Sequence, residues 1–297
     1  MKSRNVLLIA AFIIAGMVAQ AQIKPTFNPA QGQKYTYRTA TDQKIVTSFA
    51  GQQMVMNTVT EMLTEISVKE KTNNEVKLDL TYKEIVMTLS SAMMNFKIDT
   101  KNKVGNTEGI EKIGADLFNC IIGKTLQIVV DPNGSVKSLT GYNAIMSEIE
   151  KVLLPLGDMG QQMGLFTQAF SEEAIKTTFE QTYTFYPDKE IKIGESWNKD
   201  NKFSMAGMEI EAKTSYTIKS VSNDIAVVGV ASVMTMKTGG ETEGEMKGDQ
   251  KGEMRLGVKT GMPMQSTSEG SIKGTIKQQG MEVAMEITTK VTTNLQQ

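Results

Sequence analysis

The side chains able to do chemistry are few in kind. Histidine is absent from the 297 residues, so Ser-His and Cys-His relays cannot be assembled and the common zinc sites lose a usual ligand. Cys120 is the single cysteine. It excludes an intramolecular disulfide, and its apolar helical surroundings point to a buried, inert thiol. Carboxylates are plentiful, but Glu209, Glu211, Glu282 and Glu286 alternate with apolar residues. That is the pattern of a wet strand face, not of a paired acid and base. Neither a phosphate-cradling glycine loop nor a dinucleotide fingerprint occurs. The residues therefore imply a non-enzymatic protein, with no catalytic residues, no metal site and no cofactor.

Methionine is the abundant reactive type, with 21 in the chain. The pairs Met54/Met56, Met234/Met236 and Met262/Met264 place two thioethers two residues apart. Such soft ligands can hold Cu(I), yet the pairs lie in separate segments and no histidine assists them. Methionine is also the pliable filler of apolar surfaces. A methionine-lined wall able to repack around an apolar ligand is one reading, and a fully packed core is the other.

The elements that carry these residues are mostly long strands with period-2 alternation. Met208, Ile210, Ala212, Thr214, Tyr216 and Ile218 share one face, and Met281, Val283, Met285, Ile287 and Val291 repeat the pattern. Met54, Met56, Met62, Ile66 and Val68 do so less strictly. The stretch Val76 to Leu89 changes parity, which predicts a bulge near Lys83-Glu84. Ile225 to Met236 is apolar on both parities and is expected to be buried on both faces. Gly239 to Gly252, rich in glycine and acid, reads as a mobile, solvated turn or strand tip. Three helices are expected from 3.6-residue spacing: around Ile110 to Ile121 with Gly123 as a stop, from Tyr142 to Leu153 ending at Pro155, and after a cap at Ser171. Met159, Met163 and Phe166 suggest a short fourth.

Residues 1–21 read as a cleavable secretory leader: Lys2 and Arg4, an apolar run from Val6 to Val18, then Ala19-Gln20-Ala21, with cleavage expected before Gln22. The expected location is periplasmic or secreted. With 32 basic against 33 acidic residues there is no basic patch, so no nucleic acid partner is expected, nor a transmembrane segment in the mature chain. Residues 22–297 read as one β-rich domain. Two weakly similar halves, about 27–138 and 186–297, joined by a helical segment at about 139–185, read either as a duplication or as a coincidence between β segments. Gly32-Gln33-Lys34-Tyr35 opens the first half and Gly194-Glu195-Ser196-Trp197 the second. Asp131-Pro132-Asn133-Gly134 and Thr260-Gly261-Met262-Pro263 mark late turns in each.

The leader ending Ala19-Gln20-Ala21-Gln22, the Gly194-Glu195-Ser196-Trp197 opening after Tyr186-Pro187, and the Lys259-Thr260-Gly261-Met262-Pro263 turn together resemble an exported Bacteroidota family of unknown function. In architecture alone the pattern also resembles periplasmic lipoprotein carriers, whose half-barrel cradles an acyl chain beneath helices. That likeness assigns no residues. The expected fold is mainly β (α+β): a long curved antiparallel sheet or half-barrel with a central helical insert on its concave face. The expected function is binding of an apolar ligand or lipid between sheet and helices, the alternative being an envelope structural or interaction module with a packed core. The expected lining is Met56, Met62, Met87, Ile145, Ile149, Leu153, Met208, Tyr216 and Met285, with Ile145, Ile149 and Leu153 facing methionine-bearing strands across a gap.

Overall fold

A computed structural model describes residues 22–102, 109–157, 171–205, 208–238, 242–278 and 281–296. The leader and the candidate fourth helix at Met159, Met163 and Phe166 lie outside the described residues. Alternating apolar residues form the strands β2 (Lys34–Phe49), β3 (Gln52–Lys71), β4 (Val76–Ser91), β5 (Asn95–Asp99), β6 (Thr125–Val130) and β7 (Val136–Thr140). The second half supplies β9 (Ser196–Met205), β10 (Met208–Ser222), β11 (Ile225–Thr238), β12 (Thr242–Gly257), β13 (Pro263–Gln278) and β14 (Met281–Gln296). A short pair, β1 (Gln22–Ile23) and β8 (Ile191–Lys192), stands apart. The helices are α1 (Gly109–Asn119), α2 (Tyr142–Leu153) and α3 (Glu172–Tyr183). The Ser171 hydroxyl caps α3 by accepting from the Ala174 amide at 3.1 Å.

All twelve strands of the large sheet pair antiparallel, in the order β7-β6-β4-β3-β2-β14-β13-β12-β11-β10-β9, with β5 also on β4. The chain starts at the centre, meanders out to β7, crosses through the helices to β9, and meanders back until β14 pairs with β2. The outer edges β7 and β9 do not pair, so the sheet is not closed into a barrel. The predicted bulge is present: the β3–β4 register shifts between Leu63/Thr64, opposite Tyr82 and Glu84. It returns Leu78, Leu80, Tyr82, Ile85, Met87 and Leu89 to one face.

Both halves open alike. After a turn at positive φ (Gly32 at 80°, Gly194 at 87°), the glycine amide donates to the Val68 or Ile218 carbonyl, at 2.8 and 2.7 Å. The amides of those same residues donate back to Gln33 and Glu195. A register shift follows directly in each strand, at Val68/Glu70 and Ile218/Ser220.

One core unites the halves at the end of the sheet where these turns lie. Ile66, Val68, Leu78, Leu126, Ile128 and Val130 from one side meet Ile218, Val228 and Leu256 from the other, with Leu117 of α1, Ile121 just beyond it, Ile149 of α2, and Phe179 and Tyr183 of α3. The helix α3 touches both edge strands. Glu180 accepts the Val136 amide at the start of β7 at 2.8 Å. Just beyond the helix, the Phe185 carbonyl accepts the Trp197 indole of β9 at 2.6 Å.

Two strand expectations change. Within the glycine-rich stretch, the described residues from Thr242 onward are not a mobile turn or strand tip: they belong to β12, paired on both sides. The run Ile225 to Met236 is flanked by two strands, but its outward face is open, with Val233 64% exposed. Apolar residues on both parities here reflect strand preference, not a second covering layer.

Gly244, Gly248, Gly252, Gly270 and Gly274 all fall on the inner face of β12–β13. A Cβ at Gly248 would lie 1.9 Å from the Ser271 carbonyl oxygen. The glycines let the two strands crease sharply toward the concave side, as at a barrel corner. Gly248→Ala is expected to cost about 1–3 kcal/mol as an overpacking change. Gly229→Ala, which meets only the flexible Lys219 side chain, should stay within about 0.5 kcal/mol. Urea midpoints compare the two; equal midpoints would remove the crease argument.

Candidate functional site

Residues directly opposite in an antiparallel pair share a face, so the registers sort the inner face into three zones along the strands. The first is the closed core. Next comes a belt of hydroxyls and amides: Thr39, Thr41, Gln43, Thr58, Thr60, Thr289, Thr293, Ser268, Gln250, Ser232 and Thr214. Its members bond to one another across strands. Thr39 pairs with Thr293 at 3.1 Å, Thr214 with Ser232 at 3.0 Å, and Gln250 donates to Ser268 at 2.9 Å. Beyond the belt the inner face turns apolar again, with Ile45, Met54, Met56, Ile210, Met234, Met236, Met246, Ile272, Met285 and Ile287.

This upper zone is only partly covered. Met246, Ile210 and Ile272 are buried, whereas Ile45, Met56, Met234, Met236, Met285 and Ile287 are half-buried. The opposite face of the same strands carries Glu209, Glu211, Lys213, Glu245, Lys247, Lys273, Glu286 and Lys290, and exposed pairs such as Lys202–Glu211 at 2.7 Å lie there. The sheet is therefore wet outside and apolar inside even where no helix covers it.

The expected lining residues divide among the zones. Met56, Met208 and Met285 lie in the upper zone, and half-buried. Met62 and Met87 pack against a small cluster of Ile85, Ile98, Ala115 and Phe118, so the helix beside these methionines is α1. Ile145 and Ile149 do not face methionines across a gap: they are fully enclosed in the shared core, with Leu153 packed at its margin. A helical stripe tells that a helix must be buried, not against which partner. Tyr216 also belongs to the core, stacked on Trp197 with ring centroids 5.3 Å apart. Ile45, Ile287, Met234 and Met236 join the upper zone. Their parity was readable in the sequence, but their height along the strands needed the register.

A separate cleft of about 530 Å³ opens at the core end, among residues that include Lys24, Asn28, Lys71, Asn133, Asp188 and Lys199. Four of its polar residues engage one another in pairs: Lys71 bonds Asn28 and Lys199 bonds Asp188 at 3.4 Å. Among the described residues no cluster of His, Cys, Asp and Glu could hold a metal ion, and no helix is long and apolar enough to cross a membrane. Cys120 is buried, and burial raises its thiol pKa.

Residues 73–280 match a family described as a family of unknown function, DUF6263. The match takes in well over half of the chain, and the chain belongs to this family. No curated protein matches the sequence. Among solved structures, lipovitellin, from a study of its lipid–protein interactions, is similar at 11% identity and a TM-score of 0.44, over 91% of this chain and 25% of that one. The OccK5 protein of Pseudomonas aeruginosa is similar at 6% identity and a TM-score of 0.26, over 91% and 100% of the two chains. An outer membrane channel from Pseudomonas putida F1 follows at 6% and 0.22, over 90% and 96%. The chain thus spans a quarter of lipovitellin, and none of the three superposes closely enough to bear on function.

The titratable groups define a stability profile. Burial raises the phenol pKa values of Tyr37, Tyr82, Tyr183 and Tyr186, and pushes Tyr216 up to about 12. Each is neutral in both states below about pH 10; above it the unfolded phenols ionise first, so stability falls as pH rises. At the acid end Asp99 is held below its usual value by the Asn102 amide, its side chain and the Lys101 amide, so its contribution is lost as pH drops below about 4. With no histidine, the unfolding free energy is expected to be flat from about pH 5 to 8, above which the unfolded Cys120 thiol ionises ahead of the buried one. Urea titrations across pH check this; a step near pH 6–7 would contradict it.

Proposed function

We propose that this chain is a non-enzymatic exported protein that holds an apolar, chain-like ligand, such as an acyl chain, against the upper inner face of its creased sheet. The observation that carries the reading is the half-buried apolar surface beyond the hydroxyl belt, on strands whose other face is charged. Leaving such a surface wet forfeits roughly 25 cal/mol per Å², and exposed apolar patches of this kind mark binding surfaces. Methionine suits a wall that must repack around a flexible chain. A hydrocarbon laid there gains about 0.8 kcal/mol per buried methylene. The reading sets the ligand beyond the belt rather than beneath α2, where the core is closed. The leader at residues 1–21 supports export, with cleavage after Ala21.

The alternative, an envelope interaction module, draws on the edge of β9, which pairs only with β10 among the described residues. Lys199 lies on the inner face of that edge strand, and an inward charge of this kind discourages addition of another strand.

Native mass spectrometry of protein purified from its own envelope is expected to show co-purifying lipid. Titration with the fluorescent fatty acid cis-parinaric acid should saturate. Ile45→Glu, between Met56 and Ile287 on the inner face, should weaken that binding about ten-fold, or ~1.4 kcal/mol, with little loss of stability. Leu117→Ala in the closed core should instead destabilise by about 2–5 kcal/mol and leave probe affinity unchanged. A bare protein mass together with no probe binding would rule the reading out.

A further inference from the structure

The open end of the upper zone, the mouth of a trough, carries a second signal, which shares Met54 with the lining but centres on two hairpin tips. No charged residue occurs from 45 to 60, which spans the β2–β3 hairpin tip, nor from 85 to 96, which spans the neighbouring β4–β5 tip. On the other strands charges continue to the tips, with Lys277 and Glu282 on β13 and β14 and Glu209 and Lys237 on β10 and β11. The uncharged stretch carries apolar residues on both faces, those on the convex side interspersed with Ser48, Gln53 and Asn57. Val46 lies opposite Val55 on the convex side, where Val59 is also exposed.

Large apolar side chains stand at the apices. Phe49 and Met54 flank the β2–β3 turn at 43% and 45% exposure, and Met93 and Met94 crown the β4–β5 turn at 83% and 43%. These tips are built. The Ser91 hydroxyl accepts the Met93 and Met94 amides at 3.3 and 3.0 Å, and the Met94 carbonyl accepts the Ser91 amide at 2.8 Å. The turn thus fixes Met93 outward.

We infer that these two hairpin tips dock on a lipid bilayer by shallow insertion of Phe49, Met54, Met93 and Met94. A bilayer is the occupant because the patch holds no charge to pair with a protein partner, and hydrocarbon accepts flexible methionines and an aromatic wedge without a complementary shape. Glu282 and Glu286 on the adjoining β14 limit the depth. The contact gains nothing from anionic headgroups, since no lysine or arginine lies in either tip. The tips border the trough, so a docked protein presents its opening to the membrane. The inference rests on the tips alone and does not require the trough to bind ligand.

Flotation of the mature chain with neutral phosphatidylcholine vesicles tests it. The chain is expected to float, and to do so equally at low and high salt. Phe49→Asp combined with Met93→Asp should reduce vesicle partitioning about ten-fold or more. Val233→Asp, at an exposed apolar position on the convex face of β11, should change nothing. Failure to float would overturn the inference. So would an equal loss from Val233→Asp, an unaffected double variant, or binding that needs anionic lipid and disappears in salt. Cis-parinaric acid binding without vesicles is followed in parallel. Flotation without probe binding would remove the trough ligand and leave the docking intact; probe binding without flotation would do the reverse.

Discussion

Two strand edges that cannot reach each other set the problem this fold solves. A sheet of this many strands, apolar on one side, would ordinarily close into a barrel or pack on a second sheet. Here β7 and β9 stay apart, and α3 stands between them. Its Glu180 completes the first amide of β7, and the carbonyl just past its end receives the Trp197 indole of β9. Phe179 and Tyr183 from the same helix pack with Phe27 of the N-terminal segment, with ring centroids 6.5 and 5.2 Å from it. The Tyr186 hydroxyl donates to the Gly261 carbonyl at 2.7 Å. One short helix and the residues flanking it therefore tie both edges, the N-terminal segment and a late turn into a single apolar interior.

That interior could be foreseen in part. The parity change at Lys83-Glu84, the Ser171 cap and the apolar spacing of α1 and α2 each report a local geometric need, and each is met. The glycine openings at Gly32 and Gly194 hide a fuller match, since their amide and carbonyl partners on Val68 and Ile218 are long-range. The expectation of a turn or strand tip at β12 fails for a definite reason. It takes the glycines as punctuation, although Gly244, Gly248 and Gly252 fall four residues apart, on the parity of Met246 and Met254. Four-residue spacing in a strand keeps one face, so the glycines belonged to the inner surface as firmly as the methionines did. Ile145 and Ile149 show the complementary limit. Their spacing fixes that α2 buries a stripe, while the choice of partner depends on where the chain crosses the sheet.

The crease explains how a sheet this long keeps a concavity. Strands as long as β3 twist strongly, and twist alone opens a sheet as readily as it curls it. Removing Cβ atoms along the inner side of β12–β13 lets the backbones approach where side chains would wedge them apart. Met246 and Ile272, beside the glycines, are buried as a result. Away from the crease, Met56 and Met285 stay half-buried on the same surface.

The hydroxyl belt makes that partial exposure hard to treat as leftover core. Were the upper strands simply an extension of the packed interior, the cheapest sequence would continue it with aliphatic residues, since each buried polar group must find a partner. Instead Thr39, Thr293, Thr214, Ser232, Gln250 and Ser268 interrupt the apolar surface and satisfy one another. Such a belt ends one apolar compartment and begins another. The lower is filled by the protein's own helices; the upper has a floor that can meet a polar group and walls that can meet a chain. The proposed amphiphilic ligand would present its parts in that order, whereas a packed protein core has no need of it.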